Sequence, residues 1–185
     1  MKKLFSFFIL ILYVFVFSVN IAQSAKKSET ASPAVTTVEY QLPYPGILPD
    51  HPLYKIKVLR DKILLLLTFN PIKKAARHLH MADKEFFMAL KLAENNNIPL
   101  AQQTAFKAEH HMTLLVAEVE NAVYYSRKEF PQDLAREAHQ ATLKHQELLV
   151  GIMNQVGEKN KKDFETIKEF SARNDSELFR FEHER

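Results

Sequence analysis

Apolar residues recur at three- and four-residue spacing over most of this chain, a period that predicts helices and leaves no room for alternating strands. After Asn70-Pro71, a cap followed by a first-turn proline, the stripe falls at Ile72, Ala75, Leu79, Ala82, Phe86, Ala89 and Ala93, and Asn95-Asn96-Asn97 ends it. Pro99 opens a second helix, with Ala101, Ala105, Ala108, Met112, Leu115, Val119 and Ala122 on its stripe and an end near Arg127. Pro131 opens a third, with Leu134, Ala138, Ala141, His145, Leu148 and Ile152, and Gly157 is placed to terminate it. Alanine at so many seam positions lets helices approach towards the lower end of the ~8 to 10 Å interaxial range. A last segment, Lys161 to Phe181, keeps Phe164, Ile167, Leu178 and Phe181 in phase but carries Ser171 and Asn174 where the stripe should continue. A broken or weakly docked helix is expected there.

The stretch from Tyr40 to Pro71 follows another pattern. Pro43, Pro45, Pro49 and Pro52 stiffen a strap, and Pro45-Gly46 suits the centre of a type II turn. Asp50 is the expected cap of a helix carrying Pro52 in its first turn. That helix ends in Ile63, Leu64, Leu65, Leu66 and Leu67, apolar around its whole circumference, so it must be buried on all sides or be adhesive. The expectation is burial: the other segments cover it, and the strap lends Leu42, Tyr44, Ile47 and Leu48 to the cover.

Before the strap, Lys2 and Lys3 precede an apolar run from Leu4 to Val19, and Ala22-x-Ser24 supplies small residues, the pattern of a signal peptide over residues 1–24. The alternative is an uncleaved anchor helix, although the run falls short of the ~20 residues that usually span a bilayer. Residues 25–39, rich in Lys, Ser, Thr and Ala, read as a disordered tether. The expected architecture is all-α: signal peptide, tether, a proline-rich strap over residues 40–51, and an antiparallel bundle of four to five helices over residues 52–181.

The segments LPYPGILPDHPLYKIKVLRDKI, LTFNPIKKA and MADKE resemble a bacterial family known as domain of unknown function 5667, with its LP(Y/G) strap, D-x-PLY-x-x-K and LT-x-(D/N)-P-x-KKA motifs. The resemblance is strong over residues 40 to 95 and continues beyond them only in helical pattern. Asn70 stands where the family pattern has aspartate, one capping residue for another. The resemblance implies a secreted or membrane-anchored helical domain and carries no catalytic residues with it.

Composition sharpens this picture in three ways. The chain of 185 residues is 46% hydrophobic and long enough for one domain with its own core. It has no cysteine, so no disulfide supports the fold and packing must do so alone. Residues 1–24 hold two of the 25 basic residues and none of the 22 acidic ones, which leaves 23 against 22 and removes the main support for nucleic-acid binding.

Eight histidines raise the question of a metal: His51, His78, His80, His110, His111, His139, His145 and His183. No two stand three or four apart and none has a glutamate three residues before it, so the ligand spacing of a helical metal site is missing. His80 and Asp83 form a tight His-x-x-Asp pair and are the candidate ligands should a metal bind; His145, alone on an apolar seam, reads as a hydrogen-bonded core histidine. With three glycines the chain can scarcely build a phosphate cradle, and no Gly-x-Ser-x-Gly or His-Glu-x-x-His is present. No catalytic residue and no cofactor are therefore expected.

The function class that follows is an exported, non-catalytic helical domain with a structural or protein-interaction role in the cell envelope, extracytoplasmic and without a stable membrane span after signal cleavage. Tyr40, Tyr44 and Tyr54 are the candidate partner-binding aromatics, for another envelope protein or a cell-surface component. Capping of the bundle by the strap is the plainer role for the same residues. The alternative class is a holdase-like periplasmic chaperone, holding clients on apolar and cationic helix faces. Membrane association through Leu64–Leu67 would require that helix to be exposed, which the long bundle helices argue against. The oligomeric state is open. Stoichiometric Zn²⁺ or a chelator should leave the melting temperature unchanged. A rise of several degrees with Zn²⁺ would bring His80 and Asp83 forward as ligands.

Overall fold

Five helices account for most of the chain from Tyr54 to His183 in a computed structural model, which describes residues 38–127, 129 and 131–183. They are α1 (Tyr54–Leu66), α2 (Pro71–Glu94), α3 (Ile98–Glu120, continued by a π-helical turn at Asn121–Tyr125), α4 (Gln132–Gln155) and α5 (Glu158–His183). No strand occurs among the described residues. The expected signal peptide and residues 25–37 of the expected tether lie outside them.

Local chemistry sets the helix ends. The Asn70 side chain accepts from the Lys73 N–H at 3.2 Å, with Pro71 at the first helical position, as the Asn-Pro pair predicts. α2 closes on a Schellman motif: Asn96 takes the left-handed conformation at φ 59°, its N–H bonds Ala93 O, and the Asn97 N–H bonds Leu92 O at 2.8 Å. Gly46 has φ 74°, the left-handed value its turn requires. Asp50 does not cap α1. The chain makes an extra turn after Leu48, so α1 starts at Tyr54 behind Leu53, and the local side-chain bond is Leu53 N–H to His51 Nδ1 at 3.1 Å.

α2 and α3 form one antiparallel hairpin and α4 and α5 another. The hairpins lie side by side, with α2 beside α4 and α3 beside α5, so the α3–α4 connection crosses the bundle diagonally. The seams are those the periodicity marks: Ala75, Leu79, Ala82, Phe86, Ala89 and Ala93 are buried on α2, and Ala101, Ala105, Ala108, Met112, Leu115, Val119 and Ala122 on α3. On α4 the buried leucine is Leu149, with Leu148 only half-buried.

Two expectations are overturned. α5 is unbroken: its buried stripe runs Phe164, Ile167, Ser171, Asn174, Leu178, Phe181, with the small Ser171 buried in phase and Asn174 met by Glu109 on α3. α1 is not the covered centre of the molecule, since none of its residues is buried. The strap does not hide it. The start of the strap is anchored on the bundle instead, where the Tyr40 hydroxyl donates to Asp83 on α2 and Tyr40 packs on the apolar half formed by Ala75, Met112 and Leu178; just before it Val38, in the last residues of the expected tether, donates its N–H to Glu147 on α4. The four long helices close a core among themselves, and a thirteen-residue α1 is too short to add a fifth side to it.

Phe86→Ala should therefore lower the unfolding free energy in urea by about 3 to 5 kcal/mol. Leu66→Ala, on a side chain 77% exposed, should change it by no more than ~0.5 kcal/mol. Equal losses at the two positions would mean that α1 is covered.

Candidate functional site

The bundle core is two apolar halves separated by one polar layer. One half holds Phe86, Ala105, Leu149 and Phe164; the other holds Leu79, Met112, Ala138 and Leu178. Between them each helix contributes at the same level: Asp83 from α2, Glu109 from α3, His145 from α4, and Ser171 and Asn174 from α5. The Asp83 carboxylate accepts from the Tyr40 hydroxyl at 2.7 Å and from His145 Nε2 at 2.9 Å. The other ring nitrogen, Nδ1, lies 3.8 Å from Glu109 Oε1, and the ring stacks on Phe86 with centroids 4.1 Å apart. Asn174 Nδ2 donates to Glu109 Oε2 at 2.8 Å and to the Glu109 carbonyl at 3.2 Å. Burial lifts the Glu109 carboxyl above the ordinary range, against the pull of His145, Asn174 and Ser171. His145 is 0% exposed, so this layer holds the helices in register and has no face to offer a ligand.

A second polar cluster lies where α1 stands over α2 and α3. His78 and His111 face each other with their Nδ1 atoms 3.0 Å apart, one the donor and the other the acceptor, and His111 Nε2 is 3.7 Å from Glu85 Oε2. Lys107 contacts Glu85 directly and donates to the Tyr54 hydroxyl of α1 at 3.2 Å. Burial pushes His78 down to about 4 and His111 down to about 3, the latter helped by the neighbouring His78, so both rings are neutral at pH 7. Burial also lifts Glu85, with Lys107 opposing it. A cleft of about 260 Å³ opens here between Tyr54, Val58 and Leu65 on one side and Glu85, Lys107 and Leu114 on the other. Further clefts of about 350 and 480 Å³ flank α1 on its α2 side and at its C-terminal end. α1 thus stands off the bundle along its length.

Its outer face is apolar. Ile56, Leu59, Ile63, Leu66 and Leu67 recur at helical spacing, with Ile56 65% and Leu59 60% exposed, and Phe69 beyond the helix end is 88% exposed. Lys55 and Lys62 border this stripe on one side and Arg60 on the other, by their positions on the 3.6-residue turn. An apolar stripe of this length on a well-packed bundle marks a surface made to be covered.

The residues singled out by sequence fall in three different places. Tyr40 is half-buried and committed to Asp83, Tyr54 is half-buried and held by Lys107, and Tyr44 stands free at 80% exposure. They form no common patch with one another that the hydrogen bonds or ring contacts record. His80 and Asp83 part company: His80 is exposed and lines the α1–α2 cleft, while both Asp83 oxygens are taken in the core. Among the described residues, no three His, Asp or Glu side chains converge as a metal-holding set. His145 is the hydrogen-bonded core histidine expected. Sequence reasoning missed Glu85, Glu109, His111 and Asn174, although Ser171 and Asn174 in stripe positions were a signal for a polar layer. The leucine run of α1 is compatible with burial or exposure, and the structure shows exposure.

A family model described as "Domain of unknown function (DUF5667)" matches residues 46–174, well over half of the chain. No curated protein and no solved structure matches.

The His78–His111 pair has a pH signature whose sign follows from its depressed values. Its contribution to stability is present above the unfolded value of 6.5 and is lost as pH falls towards about 4 and about 3. The raised carboxyls of Glu85 and Glu109 act in the opposite sense, contributing stability at low pH that is lost as pH rises through their folded values. The readout is therefore a difference: between pH 7 and 4 the double variant His78→Gln/His111→Gln should lose less stability than the wild type. Parallel curves would show that the two rings are not buried neutral.

Proposed function

The chain belongs to this family, a domain of unknown function, and we propose that it is a non-catalytic interaction domain of the bacterial cell envelope that works through the outer face of α1. The observation that carries the reading is the exposure of Ile56, Leu59, Ile63, Leu66, Leu67 and Phe69 on a helix with no buried residue, beside a bundle whose own core is complete. The entry of the strap supports it, since Tyr40 and Val38 tie the chain to α2 and α4. Tyr54 and Lys107 pin the start of α1 through a hydrogen bond, so the helix is oriented but not buried. An extracytoplasmic location accords with the positively charged, apolar start of the sequence.

The holdase reading shares the apolar face but requires adaptability. A pinned single helix with one narrow stripe suits a defined partner better than a varied set of unfolded clients.

Cross-linking in cells would test the proposal. A photo-reactive residue replacing Ile63 should form adducts, whether with protein or lipid, while the same residue at Glu169, exposed on α5, should form few. Adducts at Glu169 and none at Ile63 would end it. Broad labelling of many misfolded proteins at Ile63, with suppression of client aggregation by the purified chain, would replace it with the holdase reading.

A further inference from the structure

The outer face of α1 has a charge pattern that narrows what can cover it. Resting on the reading that α1 is the interaction surface, we propose that this face docks on a lipid surface bearing anionic headgroups, with the apolar stripe entering the interface and the flanking cations meeting the headgroups.

Three observations converge. The stripe Ile56, Leu59, Ile63, Leu66 and Leu67 points away from the bundle, and Lys55, Lys62 and Arg60, all exposed, border it on both sides. Cations on both shoulders of an apolar stripe let long side chains reach up to headgroups while the stripe sinks, the arrangement of a helix lying in a membrane plane. Charge is also segregated along the chain: residues 54–77 carry seven basic residues against one acidic, whereas residues 78–185 carry fourteen against eighteen. The only acidic residue in that first stretch, Asp61, lines the clefts beneath the helix and pairs with the neighbouring Arg60 at 2.7 Å, which offsets one of the bordering cations and leaves Lys55 and Lys62 as the main source of the outer field. No described helix is long and apolar enough to cross a membrane, and α1, at thirteen residues, fits one that lies on a surface.

A second copy of this chain fits less well. Pairing α1 with α1 would bring two cationic borders together, with like charges facing across the contact. An acidic protein groove would complement the charges as well, but the stripe is continuous and ends in the bulky, exposed Phe69, a form that suits a fluid interface.

The chain has no cysteine, so one introduced thiol carries a unique label. A polarity-sensitive fluorophore on Leu59→Cys in the full-length chain reports on α1 alone, whatever the N-terminal apolar run does. Glu165→Cys, exposed on α5, is the control. Vesicles containing phosphatidylglycerol should shift the Leu59→Cys emission to the blue and leave the control unchanged. Phosphatidylcholine vesicles, 0.5 M salt (a Debye length of about 4 Å) or Lys55→Gln/Arg60→Gln/Lys62→Gln should each weaken the shift on the order of tenfold or more. No shift with anionic vesicles, or an equal shift with both lipids, would overturn the proposal. A shift without vesicles that grows with protein concentration would assign the face to a second copy. In those cases, cross-linking of protein at Ile63 would leave the interaction reading standing, and silence there would remove both.

Discussion

The bundle is tied together by one buried layer in which His145 bonds Asp83 and Asn174 bonds Glu109, with His145 Nδ1 and Glu109 Oε1 facing each other at 3.8 Å between the two pairs. Unpaired, any of these side chains would cost the fold the desolvation of a buried polar or charged group, of order 1 to 3 kcal/mol or more. A slide of one helix by a turn would move its polar residue into one of the apolar halves and strand the partner it left. The layer thus selects one register over those a helical turn away, which alanine-lined seams, alike along their length, do less well. Tyr40 extends the same chain of hydrogen bonds to the strap, so the entry of the polypeptide is set by the core of the bundle.

Because the four long helices close a core among themselves, none of α1's residues is buried and its outer face stays exposed among the described residues. Its link to the rest is polar and lateral, through Tyr54, Lys107 and Glu85, over the neutral His78–His111 pair. Those contacts orient a helix without hiding it. The clefts on its inner side and the leucines on its outer side are two results of the same stand-off.

Functionally, this separates two jobs. The enclosed polar layer gives the bundle its arrangement, and under the proposed reading the element that would meet a partner is carried outside it, away from the core. A domain built this way can present an apolar helix permanently, because its stability does not depend on that helix being covered. The concentration of basic residues around α1, on a chain otherwise slightly acidic, is the feature on which the proposed choice of an anionic surface rests.

Local pattern by itself determined most of the architecture. The 3,4 stripes on α2 and α3, the Asn-Pro start, the asparagine stop and the proline-opened helices follow from spacing, capping and fixed φ, which act within a few residues of each other. So does the reading of His145 as a core histidine, from its isolation on an apolar seam. The tertiary structure alone decided the rest, where partners are distant in sequence. Ser171 and Asn174 look like breaks in a stripe until Glu109, more than sixty residues away, is placed opposite them. His80 and Asp83 are neighbours on one helix, yet the packing of α4 takes Asp83 into the core and leaves His80 at the surface. The leucines of α1 carry the same hydrophobicity whether covered or bare. Which of the two holds depends on whether four other helices can close a core without them, and that is a property of the assembled bundle, not of the leucine run.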